Sequence, residues 1–201
     1  MRIGVITPRD IMGPEYSWGG TLDHLSSELP QYRFVMEVFD RDRSRDAVEN
    51  QKVDFIIGNP AQYVEMEADF GISRIATVEF ADGPAPSRAI GSLIFTRRDR
   101  TDIKTLDDVR GKRVVAIESV LFGGFSLGWL ELQKHGIDPF RDTQSLEFVG
   151  EPVEKVFATV ADGSADVGIA RTCYFERLVA AGEISAGEFV AVDGQTPQRL
   201  G

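Results

Sequence analysis

Two segments of this chain repeat one pattern, and each copy has to be folded. Residues 42–66 and 154–178 both run helix, short turn, Asp followed by four mostly apolar residues, turn, and a helix with an early aromatic residue. One copy reads Lys-Val-Asp54-Phe-Ile-Ile-Gly-Asn59-Pro-Ala-Gln-Tyr63, the other Ser-Ala-Asp166-Val-Gly-Ile-Ala-Arg171-Thr-Cys-Tyr174. A second pair, Ile3–Leu29 and Arg113–His135, shares a strand, a long polar-aromatic loop and a helix. Short β-branched apolar runs between helical stretches predict buried, mostly parallel strands. Each half therefore reads as its own α/β lobe. The apolar run 89–96 crosses from one lobe to the other and 188–192 crosses back, giving lobes at 1–91 plus 189–201 and at 92–188. In open α/β sheets ligands sit beyond the carboxyl ends of strands. Four such ends, Thr7–Trp18, Gly58–Tyr63, Glu118–Phe125 and Ala170–Tyr174, are expected to close around one cleft.

Between these anchors the pattern predicts helices over 21–29, 42–50, 61–69, 102–109, 125–135, 151–162 and 173–181. Further strands are expected over 31–40, 73–78 and 146–149. Arg113–Ile117, the loop Glu118–Gly124 and the helix from Phe125 make a strand–glycine loop–helix unit. There, unpartnered N–H groups at a helix start can face a ligand. Gly123 and Gly124 carry no side chain, so a ligand can approach their backbone; the same pair also suits a packing turn.

The formal net charge of −10 argues against nucleic acid and against an anionic membrane surface, both of which are bound through excess Lys and Arg. A small anion needs only a few local donors and stays open. Cys173 is the single cysteine, so no disulfide forms within the chain. His24 and His135 lie far apart in sequence with no Cys or His at zinc spacing, so no metal and no cofactor are expected. There is no P-loop and no Gly-x-Gly-x-x-Gly. The carboxylates scatter over helices and read as a solvated surface. Met1 and Arg2 lead directly into an apolar strand, so these opening residues are not expected to act as a secretory leader.

Ile3–Trp18, Val53–Tyr63, Gly91–Arg97, Leu106–Val115, Phe122–Leu132 and Ala165–Leu178, taken together and in order, resemble the phosphonate/phosphite-binding type of periplasmic solute-binding protein. The version nearest to them is the one that serves as the extracytoplasmic sensor of histidine kinases, such as the tetrathionate sensors. The resemblance implies a two-lobe, type II Venus-flytrap fold that binds without catalysis, located outside the cytoplasm. It implies a small-molecule ligand, an oxyanion or anionic metabolite. The transmembrane and kinase regions of such a parent chain are expected to lie outside this sequence. The alternative is a stand-alone binding protein of a phosphonate- or phosphate-type ABC transporter. An enzyme on the same fold is a third reading, but the sequence offers it no acid–base pair and no activated nucleophile.

On that footing Arg171, where a strand ends and a helix begins, is a candidate to clamp an oxyanion bidentately, with a surface ion pair as the alternative. Thr172 can offer its hydroxyl to the ligand or cap the helix. Asn59 and Tyr63 occupy the matching turn of the other lobe; as alternatives Asn59 is a turn residue and Tyr63 a core residue with its hydroxyl satisfied. Trp18 and Phe122 can wall the cleft or serve as packing, and Ser119 can supply a hydroxyl or be a plain loop residue. Arg9 is a second cation, and Gly123 and Gly124 complete the candidates. Arg88 is a further cation on a loop, and Trp129 reads as core. Cys173 beside Arg171 is either a buried small apolar group or a thiol of lowered pKa.

Overall fold

A computed structural model describes residues 1–6, 18–79, 90–172, 174–185 and 187–195, and divides the chain into two units, Met1–Ile75 and Ala76–Gly201. Unit one carries three parallel strands, β1 (Arg2–Ile6), β2 (Val35–Phe39) and β3 (Phe55–Ile57), in the order β2-β1-β3. Its helices are α1 (Gly19–Glu28), α2 (Arg41–Glu49) and α3 (Pro60–Phe70). Gly4, at the centre of β1, lies between Glu37 and Ile56 in the register. A Cβ there would sit 3.0 Å from both Ile56 Cδ1 and Phe39 Cε2, so the bulk at this point belongs to the neighbours. Asp40 starts α2 by accepting the Arg43 N–H at 2.9 Å. Helix α1 has no buried residue, although Leu22 and Leu25 are half-buried.

Unit two holds β4 (Ser92–Arg97), β5 (Arg113–Ala116), β6 (Ser145–Phe148), β7 (Val167–Arg171) and β8 (Phe189–Ala191), ordered β6-β5-β7-β4-β8. The first three neighbours are parallel, and β4 runs antiparallel to both β7 and β8. Alternation along the strands sends Ile94, Val114, Ala116, Val167 and Ile169 to one core. Phe95, Val115 and Ala170 go to a second core, which also holds Phe157, Phe189 and Leu178. A sheet buried on both faces has to be apolar at consecutive positions, and this is why its strands read as continuous runs. The first core is covered by a 3-10 turn (Leu106–Val109), a π turn (Phe122–Ser126) and α4 (Leu127–Lys134), while α5 (Pro139–Asp142) leads into β6. The second is covered by α6 (Glu154–Ala161) and α7 (Tyr174–Ala180). Phe95 stacks on Phe157 with centroids 4.6 Å apart, and Gly168 makes room for it: a Cβ there would meet the Phe95 ring at 2.4 Å.

The repeat seen in the sequence is physical at the amino ends of β1 and β5. The main-chain N–H of Arg2 donates to Asp54 Oδ2 at 2.6 Å, Asp54 N–H returns to the Arg2 carbonyl at 2.8 Å, and Arg2 Nη2 reaches the Gln51 carbonyl at 2.9 Å. Arg113, Asp166 and Gly163 repeat these bonds at 3.0, 2.9 and 2.8 Å. The twin positions Gln51 and Gly163 both lie in the left-handed region, at φ 52 and φ 82. The copies differ in depth. Asp54 is exposed, whereas Asp166 is 7% exposed and also receives Arg113 Nε at 3.0 Å and Arg100 Nη1 at 2.5 Å. The Arg113 bonds, followed by those of Arg100, hold its carboxyl well below the usual carboxylate range despite burial.

Some expectations change. The division falls at Ile75/Ala76 and not near residue 91, and Phe189–Ala191, expected with the first lobe, pairs with β4. Phe189 is buried 5.3 Å from Phe95 and 5.6 Å from Phe157 between ring centroids, so its burial belongs to unit two. Residues 71–79 form no strand. Ile75 is 77% exposed, so an alternating pattern with no pairing partner among the described residues buries nothing there. The carboxylates are not all solvated: Asp166 and Glu131 are buried, the latter holding Lys134 at 2.9 Å.

Three substitutions have expected outcomes. The stabilisation from Asp166, a group whose pKa falls on folding, is complete above its unfolded value near 4 and is lost as pH falls through the lower folded value. Asp166→Asn should cost about 3 kcal/mol at neutral pH and flatten the acid limb of stability measured by urea unfolding; an unchanged acid limb would show that other carboxylates set it. Gln51→Gly should stabilise by about 1 kcal/mol, because it relieves a left-handed side chain. Gly163→Ala should destabilise, its Cβ meeting Arg97 Nη1 at 2.9 Å.

Candidate functional site

The carboxyl ends of β5 and β7 lie side by side, and the chain leaves both through residues singled out in the sequence. After β5 the Glu118 carbonyl accepts the Leu121 N–H at 3.3 Å, which closes a turn over exposed Ser119 and half-buried Val120. The chain then enters the π turn. The Leu121 carbonyl accepts the N–H groups of both Phe125 and Ser126, at 2.9 and 3.2 Å, and the Phe122 carbonyl accepts that of Leu127. This widened first turn places Gly123 and Gly124, both buried, against the sheet. Gly123 is held closely: a Cβ there would lie 2.6 Å from Ile90 Cγ2, 3.0 Å from Arg171 Cγ and 3.1 Å from the Gly91 carbonyl oxygen.

At the end of β7, Arg171 stands directly across from Ser92 of β4. Thr172 extends the ladder by one residue. Its N–H donates to the Gly91 carbonyl at 3.0 Å, and its Oγ1 accepts the Gly91 N–H at 3.1 Å. The Arg171 guanidinium carbon lies 5.8 Å from the Tyr174 ring centroid, and that of Arg177 lies 4.6 Å from the same ring. The Arg171 stem, Thr172 and Gly123 are thus one packed group around Gly91. Carboxylates share this end of the sheet. Burial raises the Glu151 pKa above the ordinary range, and the charges of Glu118 and Glu154 add to the rise. Glu154 lies 3.7 Å from Arg177, and the Glu151 carbonyl accepts from Lys155 Nζ.

In unit one, Asn59 is the N-cap of α3. Its Oδ1 accepts the Gln62 N–H at 3.0 Å while Gln62 Oε1 accepts the Asn59 N–H at 2.9 Å, a capping box in front of Pro60. Tyr63 turns its hydroxyl along the same helix to the Glu67 carboxylate, which raises its pKa. Trp18 stands at the N-cap position of α1, half-buried, with no side-chain cap bond. The structure therefore joins Arg171, Thr172 and Gly123 in contact, with Gly124, Phe122 and Ser119 on the connected turn, and places Asn59 and Tyr63 together on one helix of unit one. Arg9, Arg88 and Cys173 lie outside the described residues. Trp129 packs on the first core as expected, stacked on Phe125 with centroids 5.9 Å apart, and its buried Nε1 has no hydrogen-bond partner among the described residues. No cluster of His, Cys, Asp or Glu among the described residues suits a metal, and no described helix is long and apolar enough to cross a membrane.

Ser92 was not singled out in the sequence. It is 2% exposed, and its Oγ donates to the Gly123 carbonyl at 2.8 Å, tying the π turn to β4. One serine within Gly-Ser-Leu-Ile-Phe carries no signal of its own; only the strand register reveals that it faces Arg171. Tyr174 was noted only as an early helical aromatic.

Residues 10–198 match the family model described as the phosphonate ABC transporter periplasmic substrate-binding protein. The tetrathionate sensor histidine kinase TtrS of Salmonella typhimurium is 32% identical over 191 residues, which cover 94% of this chain and 32% of that protein. The chain thus spans about a third of the length of that curated relative. Among solved structures, PhnD1 from Prochlorococcus marinus in complex with methylphosphonate superposes with a TM-score of 0.70 at 12% identity, over 95% of this chain and 70% of that one. XAC2383 from Xanthomonas citri bound to ATP gives 0.70 at 19% identity, over 96% and 71%. These likenesses carry the fold, which is that of type II periplasmic binding proteins. With nearly the whole sequence covered by the family model, the chain belongs to the phosphonate-type periplasmic substrate-binding family.

Proposed function

We propose that this chain is the extracytoplasmic ligand-binding domain of a sensor histidine kinase, and that it recognises a small oxyanion through the end of β7. Support for the sensor role is the identity to a tetrathionate sensor kinase along 94% of the chain. The observation that carries the oxyanion is Arg171. It stands at a strand end with its stem against Gly123 and its guanidinium beside Tyr174, next to the Thr172 hydroxyl and the first turn of the π segment. A guanidinium fork matches a planar or tetrahedral oxyanion bidentately, and the N–H groups of a first helical turn add donors of the same sign. A stem already packed on Gly123 loses little further freedom when it binds.

Binding without turnover is in keeping with the family model of a substrate-binding protein. In a sensor, the ligand biases the conformational equilibrium only by its difference in affinity for the two states. The family model supports a second reading, a binding protein that delivers its ligand to a permease. A kinase module in the same polypeptide favours the first; a separate secreted gene product beside permease genes favours the second.

Titration calorimetry with methylphosphonate, phosphite, inorganic phosphate, sulfur oxyanions and small carboxylates should find at least one ligand that also raises the melting temperature. Arg171→Ala should weaken that ligand by about ten- to a hundredfold, as expected for loss of charge-assisted hydrogen bonds. An unchanged affinity would remove Arg171 from the binding role.

A further inference from the structure

We propose that Ser92 is a positioning residue for anion binding: its hydroxyl fixes the Gly123–Gly124 peptide so that the Gly124 N–H faces the ligand. This rests on the reading that unit two binds an oxyanion beside Arg171.

Ser92 Oγ donates to the Gly123 carbonyl oxygen at 2.8 Å from a position only 2% exposed. In a trans peptide the C=O of one residue and the N–H of the next point in opposite directions in one plane. Holding the Gly123 carbonyl against β4 therefore aims the Gly124 N–H away from β4, to the amino-terminal end of the π turn, where the chain arrives from the carboxyl end of β5. The peptide lies between two glycines, and neither restricts its backbone with a Cβ. Turned over, it would present a carbonyl oxygen to an arriving anion, replacing an attraction with a repulsion. The Ser92 hydroxyl selects between the two, and a buried hydroxyl that gave up this acceptor would be left without a partner.

The surrounding packing holds this arrangement. A Cβ on Gly128 would lie 3.0 Å from Ser92 Oγ and 2.6 Å from Ile169 Cγ2, so α4 rests directly on the serine. Ser92 and Arg171 are cross-strand partners, so their side chains leave the same face of the sheet. Gly123, whose carbonyl Ser92 holds, is also the residue against which the Arg171 stem packs. One serine thus sets the polarity of a backbone group beside the arginine that supplies the charge.

The test compares isotope-labelled wild type, Ser92→Ala and Arg171→Ala by NMR and by calorimetry with methylphosphonate. Ser92→Ala only removes an atom from a strand and keeps the core. Without any ligand, its Gly123 carbonyl carbon should shift upfield and its Gly124 amide should broaden as two peptide orientations exchange. Its affinity for methylphosphonate should fall about tenfold. Unchanged Gly123 and Gly124 resonances in Ser92→Ala would overturn the proposal, whatever the calorimetry shows. If they are unchanged while Arg171→Ala still loses binding, the oxyanion reading survives without it. If they shift while Arg171→Ala binds normally, the hold of Ser92 on the peptide is upheld and the oxyanion reading falls.

Discussion

The rest of unit two depends on a carboxylate taken out of water at the opposite end of its sheet from the candidate site. Asp166 joins β5 to β7 by accepting the main-chain N–H of Arg113, and it holds two guanidinium groups at once. Removing a charge from water is costly unless every lone pair is used, and here four hydrogen bonds use them. The result is a fixed register between parallel strands. A one-residue slip would send the alternating residues of β7 to the wrong cores, with Ile169 and Ala170 exchanging faces.

That register has its effect at the other end of the strands. With β7 locked against β4, Arg171 is placed opposite Ser92, and Thr172 closes on Gly91. The π turn can then approach only because positions 123 and 128 are glycine. The site is thus built from backbone that has little room to move and from one long side chain held at its base. It suits recognition of a small ligand by donors already in place, where the ordering cost has been met during folding.

Much of this was legible in the sequence for a simple reason. Parallel strands buried on both faces must be written as short apolar runs, and helices between them must carry caps and stops. Asp54 and Asp166 stood out because each precedes such a run at the same spacing, and Asn59-Pro60 announced a helix start. What failed was whatever depends on a partner distant in sequence. Residues 73–78 alternate like a strand but find no neighbour to pair with among the described residues. Phe189–Ala191 was placed by its order in the chain, whereas its burial is decided by Phe95 and Phe157. The role of Ser92 is set by cross-strand register and by a glycine carbonyl 31 residues away, neither of which a local pattern records. The wide turn at Phe122–Ser126 was read as loop through Gly124 and as helix from Phe125, because its hydrogen bonds skip the usual helical period.

The two copies of the strand clamp make the same hydrogen bonds in different surroundings, Asp54 in contact with solvent and Asp166 nearly shielded from it. Mobile ions surround an exposed charge and weaken its hold, but they do not follow a charge into the interior. Ionic strength therefore acts on one copy and largely spares the other, so that a duplicated device gives the two halves of one chain unequal responses to the salinity around them.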